Sequence, residues 1–232
     1  MNKALNKAIA FTGIDGSGKT VIARTVATLL LKRKFKVKIL WIKSLHTLAY
    51  LIYCFFRKTW GIEYVLNPRN RVVEHFATQY MGKMGKLWGL IEFISIIPWI
   101  LVANILKHIN YIVICDRYLA DFLATVSLRV RDPLWWAKSI IGKFLLVLQS
   151  KTQTIHLKIS VSTALERRPD IEYSLNELKT LIAIYRVIAE TVNAVEVVNE
   201  NRDLKEVLEE VIGRIRLTNP SSLHGVLHSL SS

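Results

Sequence analysis

Residues 11–20 read FTGIDGSGKT, and the fold is inferred from this stretch outward. From Gly13 to Thr20 the chain matches the pattern G-x-x-x-x-G-K-[ST] at every defined position. Glycines let consecutive backbone N–H groups turn inward around a phosphate, and the N-terminus of a following helix adds partial positive charge. The stretch therefore predicts a phosphate-binding loop (P-loop) that binds ATP through Gly13, Ile14, Asp15, Gly16, Ser17, Gly18, Lys19 and Thr20.

Two side chains at the end of this loop predict the cofactors. The Lys19 ammonium is expected to reach the β- and γ-phosphates, and the Thr20 hydroxyl is expected to bind magnesium. We therefore predict ATP and Mg²⁺ as the cofactors of the chain.

The segments around the loop alternate between strand and helix. KAIAF at 7–11 is predicted as a strand before the loop, and apolar residues at helical spacing predict a helix over 19–33. Further strands are predicted at 36–42, 111–115, 154–159 and 194–198. Strands joined through helices in this way pair in parallel with right-handed crossovers. The predicted fold class is α/β: the P-loop NTPase fold, with a five-stranded parallel sheet, helices on both faces and a short lid.

The remaining segments are predicted mostly as helices. Between the second and third strands we expect a helix buried on several sides, a loop and two more helices, at 44–60, 61–71, 72–84 and 87–108. One continuous helix is predicted at 133–149 and the last one at 204–217. Since no linker or internal repeat is visible, we predict a single P-loop kinase domain over 1–217 and a loosely ordered tail over 218–232.

The composition restricts the classes of partner. Lys and Arg number 32 against 18 Asp and Glu, a formal charge of +14 that suits anionic partners such as nucleotides. These charges are spread along the chain without a basic tail, so no nucleic acid partner is expected. Cys54 and Cys115 are too few for a disulfide framework or a metal site. The N-terminus does not resemble a signal peptide, and a cytoplasmic location is expected.

The apolar stretch at 87–106, LWGLIEFISIIPWILVANIL, is as long as a membrane-spanning helix. It contains Glu92 and Pro98, and the strand that follows leads to the phosphate site. A buried helix of the α/β domain is the favoured interpretation. For the apolar helices as a whole a homodimer interface is preferred, and peripheral membrane contact is the less favoured alternative.

Asp116 and Arg117 follow directly on the predicted third strand. In an open parallel sheet the carboxyl ends of the strands border the ligand crevice. Asp116 is therefore predicted to bind magnesium, and Arg117 to hold the phosphate of an acceptor through its planar guanidinium. The alternative is that Asp116 caps the next helix and Arg117 pairs with a surface acid.

Arg167 and Arg168 precede Pro169 between the fourth strand and a helix. Such a segment can close over the phosphates as a lid, and its cations then neutralise the charge that develops in phosphoryl transfer. A solvated charged pair at the C-terminus of a helix explains the two arginines equally well.

FTGIDGSGKT at 11–20 and ICDRY at 114–118 together resemble the thymidylate kinase family. The ALERR segment at 164–168 is similar to the family's entry to the lid. The resemblance implies a dTMP kinase that uses MgATP and dimerises through helices. Asp15 matches a family position whose carboxylate reaches the sugar hydroxyl of the acceptor. Because Gly16 follows it rather than an arginine, the resemblance implies that catalytic cations come from the lid, at Arg167 and Arg168. Lys19 and Arg117 are the other predicted catalytic residues.

The acceptor half of the site departs from this family. The family usually carries an arginine on the helix before the third strand, and the corresponding segment at 92–97 has no cation. The family's Tyr-Gln pair is also missing from 119–129. Two alternatives to a dTMP kinase therefore stay open: a related kinase with a more apolar acceptor, or a nucleotide-binding protein without catalysis. Against the latter, the chain lacks a guanine-reading motif of the Asn-Lys-x-Asp type.

Overall fold

A parallel sheet forms the centre of the structure, a computed structural model that describes residues 7–43, 46–60, 63–69, 72–75 and 84–215. Its strands, numbered in chain order, are β1 (Ala8–Thr12), β2 (Val37–Leu40), β5 (Ile112–Asp116), β6 (Gln153–Lys158) and β7 (Val195–Val198). They pair in the order β2-β5-β1-β6-β7, and every pairing is parallel. The predicted five-stranded sheet of the P-loop NTPase fold is confirmed.

Helices cover both faces of this sheet. On one face lie α1 (Lys19–Lys32) and α9 (Leu204–Arg214). The other helices are α2 (Thr47–Trp60), α3 (Gly85–His108), α4 (Leu119–Arg129), α5 (Trp135–Lys138), α6 (Ile140–Ser150), α7 (Val161–Arg167) and α8 (Leu175–Thr191). Residues from α2 to α8 form one apolar core with the opposite face of the sheet.

The central strand β1 is covered on both faces of the sheet, which explains why its sequence is almost entirely apolar. Ile9 and Phe11 point into the core beneath α1 and α9, whereas Ala8 and Ala10 belong to the core on the other face. All five residues of the strand are buried. A strand of a parallel sheet that is covered on both faces has no solvent side, so its sequence lacks the polar alternation of a half-exposed strand.

An antiparallel hairpin replaces part of the predicted loop at 61–71 and helix at 72–84. β3 (Glu63–Leu66) pairs with β4 (Val72–His75), and Leu66 lies opposite Val72. The prediction was wrong for these strands, while residues 76–83 of the predicted helix lie outside the described residues. The Asn67 side chain donates hydrogen bonds to the carbonyls of Pro169 and Ile171, at 3.0 and 3.2 Å. These contacts attach the hairpin to a distant segment, which a local pattern does not reveal.

The predicted continuous helix at 133–149 is divided into α5 and α6. Ser139 has an extended backbone (φ −78°, ψ 146°), and its hydroxyl accepts a hydrogen bond from the Gly142 N–H at 2.9 Å. A serine in this position caps the N-terminus of a helix. Gly142 also lies against the backbone of Trp136, where a Cβ atom would come within 1.9 Å of the carbonyl oxygen. The break therefore depends on a close approach that the apolar pattern does not indicate.

The helices α2 and α3 are less buried than the sequence suggests. α2 begins at Thr47, and several of its apolar side chains are exposed: Leu48, Tyr50, Leu51 and Phe55. α3 is long and apolar enough to cross a membrane, and a third (33%) of its most apolar 18-residue segment is buried. It packs against α2, α4 and β5 on one side. On the other side it exposes Leu87, Leu90, Ile94, Ile97, Leu101, Val102 and Ile105. The expected burial on several sides is therefore corrected to burial on one side.

The C-terminal end of the chain leaves two predictions open. α9 ends at Arg214, and the predicted tail over 218–232 lies outside the described residues. The assignment of residues 1–217 to one domain remains a prediction.

Two glycines in helices provide a matched pair of substitutions. A Cβ atom at Gly142 would collide with the Trp136 backbone, whereas one at Gly213 of α9 would meet nothing within 4 Å. We expect Gly142→Ala to lower the free energy of unfolding by about 1–3 kcal/mol. Gly213→Ala should raise it by about 0.5–1 kcal/mol, because alanine favours a helix interior. Urea unfolding followed by circular dichroism measures both, and equal effects would contradict the division between α5 and α6.

Candidate functional site: the phosphate loop and its surroundings

The phosphate loop connects β1 to α1 and depends on two glycines for its path. Gly13 has a φ of +141°, and a Cβ atom there would lie 2.4 Å from the Leu157 carbonyl oxygen of β6. Gly18 has a φ of +86°, and its Cβ atom would meet the Asn199 side chain at 2.7 Å. The loop therefore fits tightly against β6 and the segment after β7, with a backbone conformation at both positions that favours glycine.

Lys19 is buried beneath the loop. Its ammonium donates hydrogen bonds to the carbonyls of Gly13 and Ile14, both at 2.7 Å, and to the Ser17 hydroxyl at 3.2 Å. Burial lowers the pKa of Lys19 to about 8, and the nearby Arg117 charge acts in the same direction. Thr20, the other predicted ligand at this end of the loop, is exposed in the first turn of α1.

Arg117 is bonded to the phosphate loop by its side chain. Its guanidinium forms a hydrogen bond and ion pair with the Asp15 carboxylate and lies 3.8 Å from the carboxylate of Asp121. Burial opposes the charge of Arg117, but the two carboxylates outweigh it and raise its pKa. The structure thus brings the predicted acceptor residues Asp15 and Arg117 together. The alternative that Arg117 pairs with a surface acid is wrong, because its partner belongs to the phosphate loop.

Lys43, which the sequence analysis missed, also faces Asp15. Its ammonium lies 3.8 Å from the Asp15 carboxylate. Burial would raise the pKa of Asp15, but the charges of Arg117 and Lys43 dominate and hold it well below its usual range. Asp15 is therefore a negatively charged and weakly basic group.

Asp116 ends β5 next to the strand that leads into the phosphate loop. Phe11 of β1 is its partner in the strand register. Asp116 is buried, and its Oδ1 atom has no hydrogen-bond partner in the part of the chain that the structure describes. It does not cap the following helix, because Tyr118 occupies the N-cap position of α4. A buried carboxylate oxygen without a donor fits a cation as its partner.

A second buried carboxylate lies beneath Arg117. Asp121 is fully buried in α4 and accepts a hydrogen bond from the Tyr185 hydroxyl of α8 at 3.0 Å. Burial raises the pKa of Asp121, although Lys19 and Arg117 act against this shift. In the sequence, the signal that could have identified Asp121 is its position as an aspartate among the apolar residues that follow the Asp-Arg-Tyr triplet.

The two predicted lid arginines differ in their surroundings. The Arg167 guanidinium approaches the Gly16 carbonyl of the phosphate loop at 3.5 Å. Arg168 is held by Asp170, through hydrogen bonds of 2.9 and 3.0 Å. The structure therefore brings Arg167 to the phosphate loop and pairs Arg168 with an acid instead.

A polar cavity of about 730 Å³ opens beside Arg167. Its lining includes Thr163, Glu166, Asn201, Arg202 and Glu206. Two residues after β7 connect this region to its neighbours. The Asn199 side chain donates to the Ser17 carbonyl at 2.9 Å, and the Glu200 carboxylate accepts from the hydroxyls of Ser160 and Thr163 at the start of α7. The segment after β7 therefore contacts both the phosphate loop and the start of α7, where Thr163 lines the cavity.

A buried ion pair lies on the side of α3 that faces α4. Glu92 is fully buried, and its Oε1 atom accepts hydrogen bonds from the Trp88 indole at 3.1 Å and from Arg129 at 2.9 Å. The segment 92–97 has no cation of its own, as the sequence showed, but α4 supplies one. Sequence analysis missed this pair because its two members belong to different helices.

Comparison with known proteins shows a similarity in fold to solved structures. No protein-family model matches the chain, and no curated protein matches it at a significant level. Among solved structures, a deoxyadenosine kinase from M. mycoides with bound dATP is similar, with a TM-score of 0.54 and 16% sequence identity. The match covers 89% of this chain and 98% of that one. At this identity the similarity shows the P-loop fold of both chains and does not single out the thymidylate kinase family.

The hydrogen bond between Tyr185 and Asp121 can be tested by removing one oxygen atom. Tyr185→Phe leaves a buried carboxylate with one donor fewer, so we expect it to lower the free energy of unfolding by about 1–3 kcal/mol. Tyr64→Phe is the control, because the Tyr64 side chain is 59% exposed and its effect should stay within about 0.5 kcal/mol. Urea unfolding measures both variants. A Tyr185→Phe variant as stable as the wild type would show that this bond contributes nothing.

Proposed function

We propose that the chain transfers the γ-phosphoryl group of MgATP to the phosphate of a nucleoside monophosphate, and that dTMP is this acceptor. The observation that carries the proposal is the pairing of Asp15, within the phosphate loop, with the cations Arg117 and Lys43. This arrangement joins a donor-phosphate loop to a cationic surface on which a second phosphate can bind.

On the donor side, the loop and α1 present backbone N–H groups and the Lys19 ammonium to the phosphates of ATP. Thr20 and Asp116 are the residues that would hold Mg²⁺, and the unpartnered Oδ1 atom of Asp116 supports this assignment. Bound Mg²⁺ supplies neutralisation of charge on the β- and γ-phosphate oxygens.

On the acceptor side, the charges favour a phosphate nucleophile over a hydroxyl nucleophile. A hydroxyl must lose its proton as it attacks, which calls for a general base. Asp15 is the carboxylate within the phosphate loop, and its pairing with Arg117 and Lys43 lowers its pKa and makes it a poor base. A phosphate oxygen is already ionised at neutral pH and needs no such base, while it gains from both cations.

Arg167 is the cation we assign to the transferring group. Its guanidinium is exposed and lies 3.5 Å from the Gly16 carbonyl of the phosphate loop, so a small movement of the C-terminal end of α7 would bring it over the γ-phosphate. Arg168 would first have to leave Asp170, and we assign it a supporting role in the lid.

A deoxyribonucleoside acceptor is the second candidate. The similarity in fold to a deoxyadenosine kinase favours it, because the acceptor named for that neighbour is a deoxyribonucleoside. The two candidates differ in whether the acceptor already bears a phosphate, and one assay separates them. The same assay also separates both from a nucleotide-binding protein without catalysis and from a kinase of more apolar acceptors.

The test is release of ADP from MgATP with dTMP, other nucleoside monophosphates, thymidine and deoxyadenosine as acceptors. We expect the fastest turnover with dTMP. Lys19→Ala should reduce it by about 100-fold or more, because a cation on the transferring phosphates is lost. Lys32→Ala, at an exposed lysine of the same helix, is the matched control and should leave turnover unchanged. Turnover with thymidine or deoxyadenosine alone would replace the first candidate by the second, and silence with every acceptor would refute both.

We also propose that the exposed apolar side of α3 and α6 binds a second copy of the chain in the cytoplasm. The two helices adjoin, since the rings of Phe93 and Phe144 pack edge-on at 6.2 Å. The exposed apolar side chains of α3 continue on α6 with Ile140, Phe144 and Val147. A continuous apolar surface of this kind typically marks an interaction site.

The self-association can be tested by placing a charge in this surface. Leu101, 56% exposed on α3, becomes buried if the surface pairs with a copy of itself. We expect Leu101→Glu to convert a dimer to a monomer in sedimentation equilibrium, because a carboxylate in an apolar interface loses its hydration. Leu204→Glu, at an exposed leucine of α9, should leave the dimer intact. A monomeric wild type that sediments with anionic liposomes would instead favour the membrane alternative.

A further inference from the structure

The segment that follows β7 contacts both the phosphate loop and α7 through consecutive residues. The Asn199 backbone N–H donates to the Lys158 carbonyl at the end of β6, at 3.0 Å. The Asn199 side chain donates to the Ser17 carbonyl of the phosphate loop, at 2.9 Å. The next residue, Glu200, accepts a hydrogen bond from the Thr163 hydroxyl of α7 at 2.6 Å. Two adjacent residues therefore connect the phosphate loop to α7.

The start of α7 is fixed by the Glu200 carboxylate. Its Oε1 atom accepts a hydrogen bond from the Ser160 hydroxyl as well as from that of Thr163. Ser160 is also the N-cap of α7, because its hydroxyl accepts from the Thr163 N–H at 3.2 Å. The bonds from Ser160 and Thr163 lower the pKa of Glu200, and the charge of Arg167 acts in the same direction. Glu200 is therefore ionised near neutral pH and makes charge-assisted hydrogen bonds, which are stronger than neutral ones.

The backbone of α7 lies directly against the phosphate loop. Gly16 has a φ of +88°, and a Cβ atom there would lie 3.1 Å from the Ala164 carbonyl oxygen and 3.2 Å from its Cα atom. Arg167 stands three residues after Ala164 and four after Thr163, so it lies on the same side of the helix as both. Its guanidinium approaches the Gly16 carbonyl at 3.5 Å. The helix is thus held at its start, while its last residue reaches the phosphate loop.

We propose that Glu200 is a positioning residue for phosphoryl transfer, which holds the start of α7 against the phosphate loop so that Arg167 can reach the transferring group. The inference rests on the proposed function, in which Arg167 neutralises the charge of that group. Glu200 acts through α7, a helix of seven residues, and a displacement of its start is passed on to Arg167 at its end. A misplacement of about 1 Å in a catalytic group can reduce the rate about 100-fold.

The test measures kcat and KM with the nucleoside monophosphate or nucleoside that gives the fastest ADP release. Glu200→Ala removes the acceptor of both hydroxyls. We expect its kcat to fall about 10- to 100-fold with little change in the KM of ATP or of the acceptor, because the loss concerns the transition state alone. Glu200→Gln keeps an oxygen that accepts hydrogen bonds and should stay within about threefold of the wild type. Glu196→Ala, at an exposed glutamate of β7, is the matched control and should leave kcat unchanged.

A double-mutant cycle with Arg167→Ala separates a positioning role from a merely structural one. If Glu200 acts through Arg167, the double variant Glu200→Ala/Arg167→Ala should be no slower than Arg167→Ala alone. Losses that add would show that Glu200 affects the reaction by another route and would overturn the inference. Circular dichroism establishes that the variants are folded. If Glu200→Ala does not fold, Thr163→Val removes one of the two donors and keeps the shape of the side chain. It should then lower kcat by a smaller factor, and an unchanged kcat would overturn the inference.

The outcomes separate this inference from the proposed function. The turnover of the wild type decides the proposed function, and silence with every acceptor would refute both. A wild type that phosphorylates dTMP while Glu200→Ala keeps its kcat would retain the kinase and overturn the positioning role. An Arg167→Ala variant with an unchanged kcat would also overturn it, because the cation through which Glu200 acts would have no part in the transfer.

Discussion

Arg117 connects the carboxyl ends of three neighbouring strands to the phosphate loop. Its N–H donates to the Phe11 carbonyl of β1 at 3.2 Å, and its own carbonyl accepts from the Ile42 N–H after β2 at 3.2 Å. These bonds hold its backbone in the left-handed region (φ +75°), which costs a non-glycine residue about 1–2 kcal/mol. Its side chain then bonds Asp15. Because the segment after β2 is attached to Arg117, this residue also contributes to the position of Lys43 beside Asp15.

The sequence predicted the sheet well and the peripheral elements poorly, for a physical reason. The strands of the main sheet are short apolar runs separated by helices, and burial on both faces produces that pattern. The hairpin β3–β4 lacks such a pattern. It is attached to the rest of the fold through the contacts of Asn67 with the segment 169–171, which is distant in the sequence. The break at Ser139 was hidden because apolar residues continue at helical spacing on both sides of it. Only the approach of Gly142 to Trp136 requires the interruption.

The residues of the candidate site also divide into those that the sequence predicted and those that it did not. Residues 13–20 were recognisable because the loop binds phosphate through its own backbone, so the signal is local. The ion pairs of the candidate site and its surroundings join residues far apart in sequence: Asp15 with Arg117 across 102 positions, and Glu92 with Arg129 across 37. A carboxylate or a lysine in isolation does not reveal its partner. Lys43 and Asp121 could therefore be recognised as neighbours of Asp15 and Arg117 only after the elements were placed.

The hydrogen bond from Asn199 to the Ser17 carbonyl has a consequence for the synthesis of the protein. Its two residues are 182 positions apart, and residue 199 belongs to the segment after the last strand. Ribosomes add about 5–20 residues per second, so the phosphate loop is made about 10–40 s before its partner. During this interval the nascent chain contains the whole nucleotide motif but not the strand β7 and the Asn199 amide that support it. A chain that ends prematurely before residue 199 therefore carries the motif without the assembled site.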